Sequence, residues 1–163
     1  MFKIKSLILL LSSITFLSCS SNQPSGQYKY SVGYIGGEYD GLILSNQLTS
    51  HLKNFNMLDE RSIYEIQSVI SHSQNVYVTN IDNTSDREKI ESSINFRVYN
   101  KNSKCYVHSY DDKVSQFYIL ASSASFNSNK RAIDKIKFEN TDYFVKNFIN
   151  SVIDEKLICD ENK

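Results

Sequence analysis

The stretch Ile90 to Val98, with the sequence IESSINFRV, alternates residue by residue between two sets of side chains. One set comprises Ile90, Ser92, Ile94, Phe96 and Val98, and the other comprises Glu91, Ser93, Asn95 and Arg97. Because successive side chains of a strand point to opposite faces of its sheet, this pattern predicts a strand with one buried face. We therefore expect a sheet that is covered on one side only, which is typical of antiparallel pairing.

Two more strand regions lie on either side of this stretch. Ile63 to Ile81 has strand composition throughout, and we expect one long strand, or two collinear strands, with a polar bulge at Ser71 to Gln74. The turn-forming residues Asn80 to Ser85 connect this region to the central stretch. The last strand region runs from Lys104 towards Ser125, and its polar triplet Asp111 to Lys113 is predicted to bulge or to overhang the sheet.

A strand and a helix precede these three strands. Tyr30 to Gly36 is a short aromatic and β-branched run closed by glycine, which predicts the first strand. Asp40 is predicted to cap the helix that follows, by accepting from its first free backbone amides. Apolar residues then recur every three or four positions, which indicates an amphipathic helix of about four turns. These residues are Leu42, Leu44, Leu48, Leu52 and Phe55.

The chain from Ser128 to Leu157 contains neither glycine nor proline and predicts a long final helix. Its apolar stripe consists of Ile133, Ile136, Phe138, Tyr143, Phe144, Phe148, Val152 and Ile153. A helix from Asn129 to Leu157 would be about 43 Å long. The resulting order, β-α-β-β-β-α, predicts an α+β fold in which two helices pack on one face of a mostly antiparallel four-stranded sheet.

The N-terminus has the pattern of a lipoprotein signal. Lys3 and Lys5 precede an apolar run from Ser6 to Leu17, which is too short for a membrane span, and Ser18 is the small residue before a cleavage site. Cys19 follows directly, which favours a bacterial lipoprotein over an ordinary secreted protein with an incidental cysteine. A thiol at this position takes a diacylglyceryl thioether, and the freed amine takes an acyl chain such as palmitate. Two or three chains anchor permanently, since each buried methylene contributes roughly 0.8 kcal/mol.

This reading divides the chain into four parts. Residues 1–18 are the predicted signal peptide, and residues 19–29, rich in Ser, Asn and Gln, are a flexible lipidated tether. Residues 30–158 are the predicted folded domain, which is long enough for a core, and residues 159–163 are a C-terminal tail. Ser20 favours the outer membrane, because an Asp after the lipidated cysteine retains enterobacterial lipoproteins at the inner membrane.

Composition and motifs exclude several classes of function. The chain has 18 basic and 18 acidic residues, so no excess of positive charge indicates nucleic acid as a partner. Its three histidines, His51, His72 and His108, are scattered without the spacing of metal ligands. The sequence has no nucleophile elbow, glycine-rich phosphate loop or HExxH motif. We therefore expect no metal, no cofactor apart from the lipid on Cys19, and no enzymatic activity.

Cys105 and Cys159 are the two cysteines that remain after lipidation. The last strand and the last helix are joined by a short turn and should run antiparallel, which brings the end of the helix near the start of the strand. Cys105 and Cys159 are therefore a candidate disulfide, since an oxidising compartment allows one. Two unpaired thiols are an equally supported alternative.

The order of elements from Tyr30 to Leu157 resembles that of the LptE family of lipopolysaccharide-assembly lipoproteins, most nearly its alphaproteobacterial branch. Ser123 to Asn127, with the sequence SASFN, is similar to the Ser-Tyr-Asn turn that precedes the final helix in that branch. Asp86-Arg87 is similar to the Thr-Arg that opens the third strand of the family. Two features differ: Ser20-Ser21 replaces the usual Gly-Phe after the cysteine, and Phe, Tyr and Asn replace small alanines in the last helix.

The resemblance implies a non-enzymatic protein that sits as a plug inside the outer-membrane β-barrel LptD, helps that barrel fold, and contacts lipopolysaccharide on its way to the surface. A sheet with exposed Tyr, Asn and Ser would suit a polar barrel lumen. Candidate interface anchors, each with an equally supported structural role, are Tyr99, Tyr106, Tyr110 and Tyr118. Candidate glycolipid contacts, because cations bind phosphate through charge-assisted hydrogen bonds, are Arg97, Lys101 and Lys104. A solvated basic turn is the alternative for these three.

Two other functions are compatible with a tethered α+β domain. One is a periplasmic lipoprotein that regulates a cell-wall synthase, or another adaptor of an envelope complex. Such regulators usually carry a long linker, whereas the stretch from Cys19 to Lys29 reaches at most about 40 Å, which favours a partner at the membrane itself. The other is a small hydrolase or lipid-carrying domain, which the absence of a reactive group of residues disfavours.

Overall fold

The computed structural model describes residues 28–78, 85–119, 126–153 and 155–159. Its elements are β1 (Tyr30–Gly36), α1 (Glu38–Asn54), β2 (Tyr64–Val78), β3 (Ser85–Asn100), β4 (Cys105–Ile119) and α2 (Phe126–Ile153). The predicted α+β fold is confirmed, with both helices on one face of a four-stranded sheet. The predicted signal peptide, Cys19 and most of the tether lie outside the described residues, as do the turn at 79–84 and residues 120–125.

The strands follow one another in the order β1-β2-β3-β4. β1 pairs with β2 in parallel, from Tyr30 opposite Tyr64 to Gly36 opposite Val69. β2 pairs with β3, and β3 with β4, in antiparallel orientation. The one parallel pair follows from chain order, because α1 is the crossover that a parallel neighbour requires. β4 and β1 are therefore the two edges of the sheet.

The pairing of the long strands β2, β3 and β4 is more regular than we predicted from the polar residues within them. β2 pairs with β3 without interruption through Ser71 to Gln74, so the prediction of a bulge there was wrong. Asp111 to Lys113 also pair in register with β3 and neither bulge nor overhang. Ser71, Ser73, Asp111 and Lys113 point to the solvated face, where their side chains stay hydrated. On the helix side, His72 shares a hydrogen bond with Ser92 and Asp112 accepts one from Tyr110, so the backbone ladder continues without interruption. The irregularity in the β3–β4 pairing lies instead between Val98 and Tyr99, close to the connecting turn.

Helix α1 begins without the predicted side-chain cap. Its first residue is Glu38, and Asp40 lies inside the first turn, so the prediction of an Asp40 cap was wrong. The residue before the helix is Gly37, with φ 119°. A Cβ atom at Gly37 would lie 2.6 Å from the carbonyl oxygen of Ile70, so the turn into the helix requires glycine. Of the predicted apolar stripe, the core contains Leu44, Leu48 and Leu52, and the surface contains Leu42.

Helix α2 ends at Ile153, before the predicted end at Leu157. Its buried apolar residues are Ile133, Phe144, Val145, Phe148, Ile149 and Val152. Phe138 and Tyr143 were predicted to join this stripe but are about half exposed, because a helix that packs on one layer buries only a stripe about 100° wide. The ring of Phe148 stacks on that of Phe96 in β3, with ring centroids 4.2 Å apart.

The space between α2 and the sheet is apolar in one half, and in the other half the buried Ile90 and Ile133 are accompanied by polar side chains. The half near the β3–β4 turn contains Tyr30, Leu48, Ile66, Phe96, Phe144, Phe148 and Val152. The other half contains the polar layer, defined here as His72, Ser92, Gln116, Asn140 and Thr141. Asn140 Nδ2 donates to Ser92 Oγ at 2.9 Å, and Gln116 Nε2 donates to Asn140 Oδ1 at 2.5 Å. These bonds offset the cost of placing polar groups in the interior.

His72 makes the polar layer sensitive to pH. Its Nδ1 shares a hydrogen bond of 2.7 Å with Ser92 Oγ, and burial lowers its pKa below 6.5, an effect that Asp40 opposes and Lys137 reinforces. The unfolded chain therefore binds more protons than the folded one just below pH 6.5, so stability should be complete above that pH and fall as the pH decreases.

This pH dependence can be measured by thermal unfolding of the wild type and of His72→Gln at pH 7.5 and pH 5.5. We expect the wild type to lose more stability than the variant between the two values. Equal losses would show that protonation of His72 does not contribute to the pH dependence.

The C-terminal segment is fastened to the start of β4. Cys105 and Cys159 form a disulfide, with Cα atoms 5.9 Å apart. The segment that leads to Cys159 also packs against the domain. Leu157 is buried, and Glu155 Oε2 lies 2.7 Å from His108 Nδ1 of β4. The segment Glu155–Cys159 therefore covers the end of the core that lies nearest the β3–β4 turn.

Candidate functional site

No helix of the described residues lies on one side of the sheet, and the side chains on that side form what we call the open face. It is made of the outward-pointing residues of three strands: Glu65, Gln67, Val69, Glu91, Ser93, Asn95, Arg97, Tyr99, Tyr106, Ser109, Asp111 and Lys113. Most of these residues are polar, as the alternation in Ile90 to Val98 predicts. The open face is therefore a broad, largely polar sheet surface.

Four residues of the open face, Gln67, Arg97, Tyr99 and Tyr106, form an ordered aromatic patch. The hydroxyl of Tyr106 donates to Gln67 Oε1 at 3.2 Å, which reaches across β3 from β4 to β2. The Arg97 guanidinium lies over the Tyr106 ring, 5.6 Å from its centroid, in a cation–π contact. The Tyr99 ring meets the Tyr106 ring edge-on, with centroids 5.3 Å apart. Tyr106 is thereby held in place while 46 % of its surface stays exposed.

A backbone irregularity places Tyr106 on the open face. Arg97 pairs with Ser109 and Val98 with His108, but Tyr99 pairs with Tyr106, so Val107 is an extra residue in β4. Such a bulge turns the side chain next to it to the opposite face. Alternation in the sequence alone would have placed Tyr106 under the helices.

A second cluster on the open face is ionic. Glu91 accepts from Lys113 at 2.6 Å and from Lys89 at 2.9 Å, so the cluster joins β3 to β4. The hydrogen bonds from Lys113 and then Lys89 lower the pKa of Glu91 to about 2. Glu91 is therefore charged at any physiological pH, and the cluster retains one positive charge in excess.

The three basic residues predicted to contact glycolipid lie at or beside the β3–β4 turn but do not converge on one point. Arg97 is engaged with Tyr106 in the aromatic patch. Lys101 Nζ points the other way, donating to Ser31 Oγ at 3.1 Å and lying 3.9 Å from Glu65 Oε2. Lys104 is exposed in the turn with a left-handed φ of 54°. The turn thus presents separated positive charges rather than a preformed phosphate site.

The four predicted tyrosine anchors divide between the two faces of the sheet. Tyr99 and Tyr106 lie on the open face, whereas Tyr110 and Tyr118 lie under α2. The Tyr110 ring packs near Phe148, with centroids 6.2 Å apart, and the Tyr118 hydroxyl donates to Asn129 Oδ1 at 2.8 Å. Tyr110 and Tyr118 therefore hold α2 on the sheet. Gln67, the acceptor that orients Tyr106, carries no sequence signal of its own, because only the strand register brings it there.

The described residues contain no cluster suited to a metal ion, and their three histidines lie apart. Among them no group of three or more His, Cys, Asp or Glu side chains is arranged to hold a metal ion. His51 and His72 are engaged with Asp142 and Ser92, and His108 with Glu155 and Ser151, so the three histidines lie in separate contacts. A cleft of about 390 Å³ lies between the N-terminal part of α2, the C-terminal part of β2 and the N-terminal part of β3. Charged residues of both signs line it, including Glu88, Asp134 and Lys137.

Over residues 28–159, apart from the segments left undescribed, no helix combines the length and the apolar character needed to cross a membrane.

Solved structures similar to this one include bacterial lipoproteins. Rare lipoprotein B from Shewanella oneidensis is 8 % identical, with a TM-score of 0.53, over 76 % of this chain and 94 % of that one. A minor lipoprotein from Acinetobacter baumannii is 12 % identical, with a TM-score of 0.57, over 82 % and 96 %. Lipoprotein B from Nitrosomonas europaea is 11 % identical, with a TM-score of 0.59, over 81 % and 87 %.

These likenesses establish a shared fold, that of bacterial lipoproteins of the rare lipoprotein B type. No family model matches the chain, and no curated protein matches it.

Proposed function

We propose that this protein is an outer-membrane lipoprotein, anchored on the periplasmic side by the lipid on Cys19, whose domain plugs an LptD-like β-barrel. In this role it assists assembly of the barrel and takes part in the transport of lipopolysaccharide to the cell surface. The observation that carries the proposal is the open face, a polar sheet surface free of helices with an ordered aromatic patch. The lipidation sequence and the fold shared with bacterial lipoproteins support a location in the envelope. The role requires no catalysis and no cofactor other than the lipid.

The open face has the physical properties that contact with a barrel interior requires. The lumen of an outer-membrane barrel is polar, so a surface of Ser, Asn, Tyr and charged side chains stays compatible with it. Tyr and Arg are enriched among the residues that contribute most to binding at interfaces. Tyr106 and Arg97 are already held by contacts within the sheet, so binding would immobilise little additional side-chain freedom.

The basic residues near the β3–β4 turn supply the proposed contact with lipopolysaccharide. Lys104 is exposed, and Lys101 and Arg97 hold positive charge on the two neighbouring sides of the turn. Phosphate groups of the glycolipid would replace weak contacts, such as the 3.9 Å approach of Lys101 to Glu65, with charge-assisted hydrogen bonds.

The test is recovery of the mature lipoprotein from membranes in mild detergent, with bound proteins identified by mass spectrometry. We expect the wild type to recover a heat-modifiable outer-membrane barrel in stoichiometric amount. Tyr106→Ala, which removes the centre of the aromatic patch, is expected to reduce the recovered barrel about tenfold. Tyr143→Ala is the matched control, because Tyr143 is exposed to nearly the same extent on α2 and should be dispensable.

The same preparations report on the glycolipid. Replacing Arg97, Lys101 and Lys104 together with Glu is expected to lower the lipopolysaccharide that co-purifies, and unchanged binding would exclude the basic turn. Recovery of a cell-wall synthase instead of a barrel would favour the regulator described above. Recovery of the lipoprotein alone would contradict the plug role.

A further inference from the structure

The cleft of about 390 Å³ lies on the helix side of the sheet, opposite the open face. We call it the charged cleft, defined by Gln74 and Glu88 of the sheet and by Lys130, Ile133, Asp134 and Lys137 of α2. Its volume lies within the range of about 300–1,000 Å³ that small-molecule sites occupy. Because charged side chains outnumber apolar ones among these residues, the cleft suits a small charged ligand rather than an acyl chain.

Glu88 places a carboxylate on the floor of the charged cleft. It shares the parity of Ile90 and Ser92, which face α2, and only 9 % of its surface is exposed. Its Oε2 accepts a hydrogen bond of 2.6 Å from Gln74 Nε2, which is a neutral donor. Among the residues that the structure describes, no lysine or arginine forms an ion pair with Glu88. A carboxylate withdrawn from water in this way would be stabilised by a cation that enters the cleft.

Three charged residues of α2 line the same cleft without pairing with one another. Lys130, Asp134 and Lys137 follow at intervals of four and three residues, so they lie on one face of the helix. These intervals allow ion pairs, and α2 forms one elsewhere, between Lys135 and Glu139. In the described part of the chain the three cleft residues form none. Their charges are therefore available to a ligand.

Lys137 directs its positive charge towards the sheet. Burial lowers the pKa of His72 in β2, and the charge of Lys137 lowers it further, against the opposite effect of Asp40. The ammonium of Lys137 therefore lies near β2, the strand that also supplies Gln74. A ligand bound there would meet positive charge from α2 and negative charge from the floor of the cleft.

We propose that the charged cleft binds a phosphoethanolamine group, in which a short carbon link joins a primary ammonium to a phosphate. The ammonium donates to the carboxylates of Glu88 and Asp134, and the phosphate accepts from Lys130 and Lys137. This inference goes beyond the proposed function and does not depend on it, because the charged cleft and the open face lie on opposite sides of the sheet.

The lining residues favour this group over similar ones. A ligand that carries only a phosphate would leave Glu88 without a cation, and one that carries only an amine would leave the two lysines without an anion. Positions 130 and 137 are about 10 Å apart along the helix axis, and a tetrahedral phosphate reaches both more readily than a smaller carboxylate does. A quaternary ammonium cannot donate to Glu88, and the described lining residues include no aromatic cage for one.

The test is a titration of the mature lipoprotein, in a neutral detergent, with phosphoethanolamine, followed by phosphorus NMR. We expect saturable binding by the wild type, and a Kd about tenfold higher for Glu88→Gln and for Lys137→Gln. Lys135→Gln is the matched control and should keep the wild-type Kd, because Lys135 pairs with Glu139 outside the cleft. Circular dichroism verifies folding, and Lys137→Gln, at a partly exposed position, decides the test if Glu88→Gln does not fold.

Three related compounds, used as competitors, test the two ends of the ligand. Inorganic phosphate lacks the ammonium, β-alanine has a carboxylate in place of the phosphate, and phosphocholine has a quaternary ammonium. Each is expected to bind about tenfold more weakly than phosphoethanolamine. Equal binding of any of them would overturn the inference, as would an unchanged Kd for the folded variants or no binding by the wild type.

The phosphoethanolamine group has two sources in an envelope, the headgroup of a phospholipid and a substituent of a glycolipid. We therefore compare a short-chain phosphatidylethanolamine with a lipopolysaccharide that carries the group, each as a competitor. Displacement by either identifies a source, and displacement by neither would overturn the inference. Because this assay needs no barrel, its failure is distinct from a failure of the proposed function.

Discussion

Replacing Cys105 and Cys159 with Ser is expected to lower the free energy of unfolding by about 4 kcal/mol. The two cysteines are 54 positions apart, so the bond restricts a large loop of the unfolded chain, and the chain-entropy treatment assigns its effect to that restriction. For a domain of this size the melting temperature should fall by about 15 °C. Chemical denaturation, followed by circular dichroism, gives the change in free energy, and a thermal scan gives the change in melting temperature.

Reduction of the wild type is the matched control for this variant. The double Ser variant should unfold at the same denaturant concentration with and without a reductant, whereas the wild type should become less stable when the reductant is added. Thiol alkylation that labels both cysteines of protein purified without reductant would contradict the bond. A stable reduced protein would show that the contacts of the C-terminal segment, such as Leu157 in the core and the pair of His108 and Glu155, hold it without the disulfide.

Phe148→Ala is expected to destabilise the domain by about 3–5 kcal/mol. Phe148 is fully buried, stacks on Phe96 and lies near the rings of Tyr110 and His108. Removal of its ring leaves a cavity that neighbouring rings cannot fill without leaving their own rotamers. The effect should be large because most of the buried apolar side chains of α2 lie in this half, while its other half packs through Ile133 and the polar layer.

Tyr143→Ala on the same helix is the control for Phe148→Ala. Tyr143 is about half exposed, so its removal should change the free energy of unfolding by no more than about 1 kcal/mol. Both values come from urea unfolding curves, in which an unchanged slope shows that the unfolded state is the same. Similar losses for the two variants would mean that the apolar contacts of α2 are not concentrated around Phe148.

The two halves of the interior relate directly to the proposed role. Near the β3–β4 turn the structure is held by the aromatic core and the disulfide, and this is where the aromatic patch and the basic residues lie. At the other end, hydrogen bonds among polar side chains lie beside the buried Ile90 and Ile133.

Several features of the fold follow from the sequence because they depend on neighbours along the chain. The alternation in Ile90 to Val98 sets a strand with one buried face, and the spacing of Leu44, Leu48 and Leu52 sets a helix with one buried stripe. Where local rules failed, packing decided. Asp40 is a good capping residue, but the close approach of Gly37 to Ile70 fixes the start of the helix elsewhere. Phe138 and Tyr143 are aromatic, but they lie outside the stripe of α2 that faces the sheet and are therefore about half exposed.

The sequence by itself determined the order of strands and helices and the solvated side of the sheet, and it proposed the pairing of Cys105 with Cys159 that the structure contains. Only the tertiary structure decided that Tyr106 faces outwards while Tyr110 and Tyr118, which share its parity, lie under α2. The physical reason is that periodicity describes one element at a time. The register between strands, the bulge at Val107 and the partners of Gln67 and Ser92 arise from contacts between residues far apart in the chain.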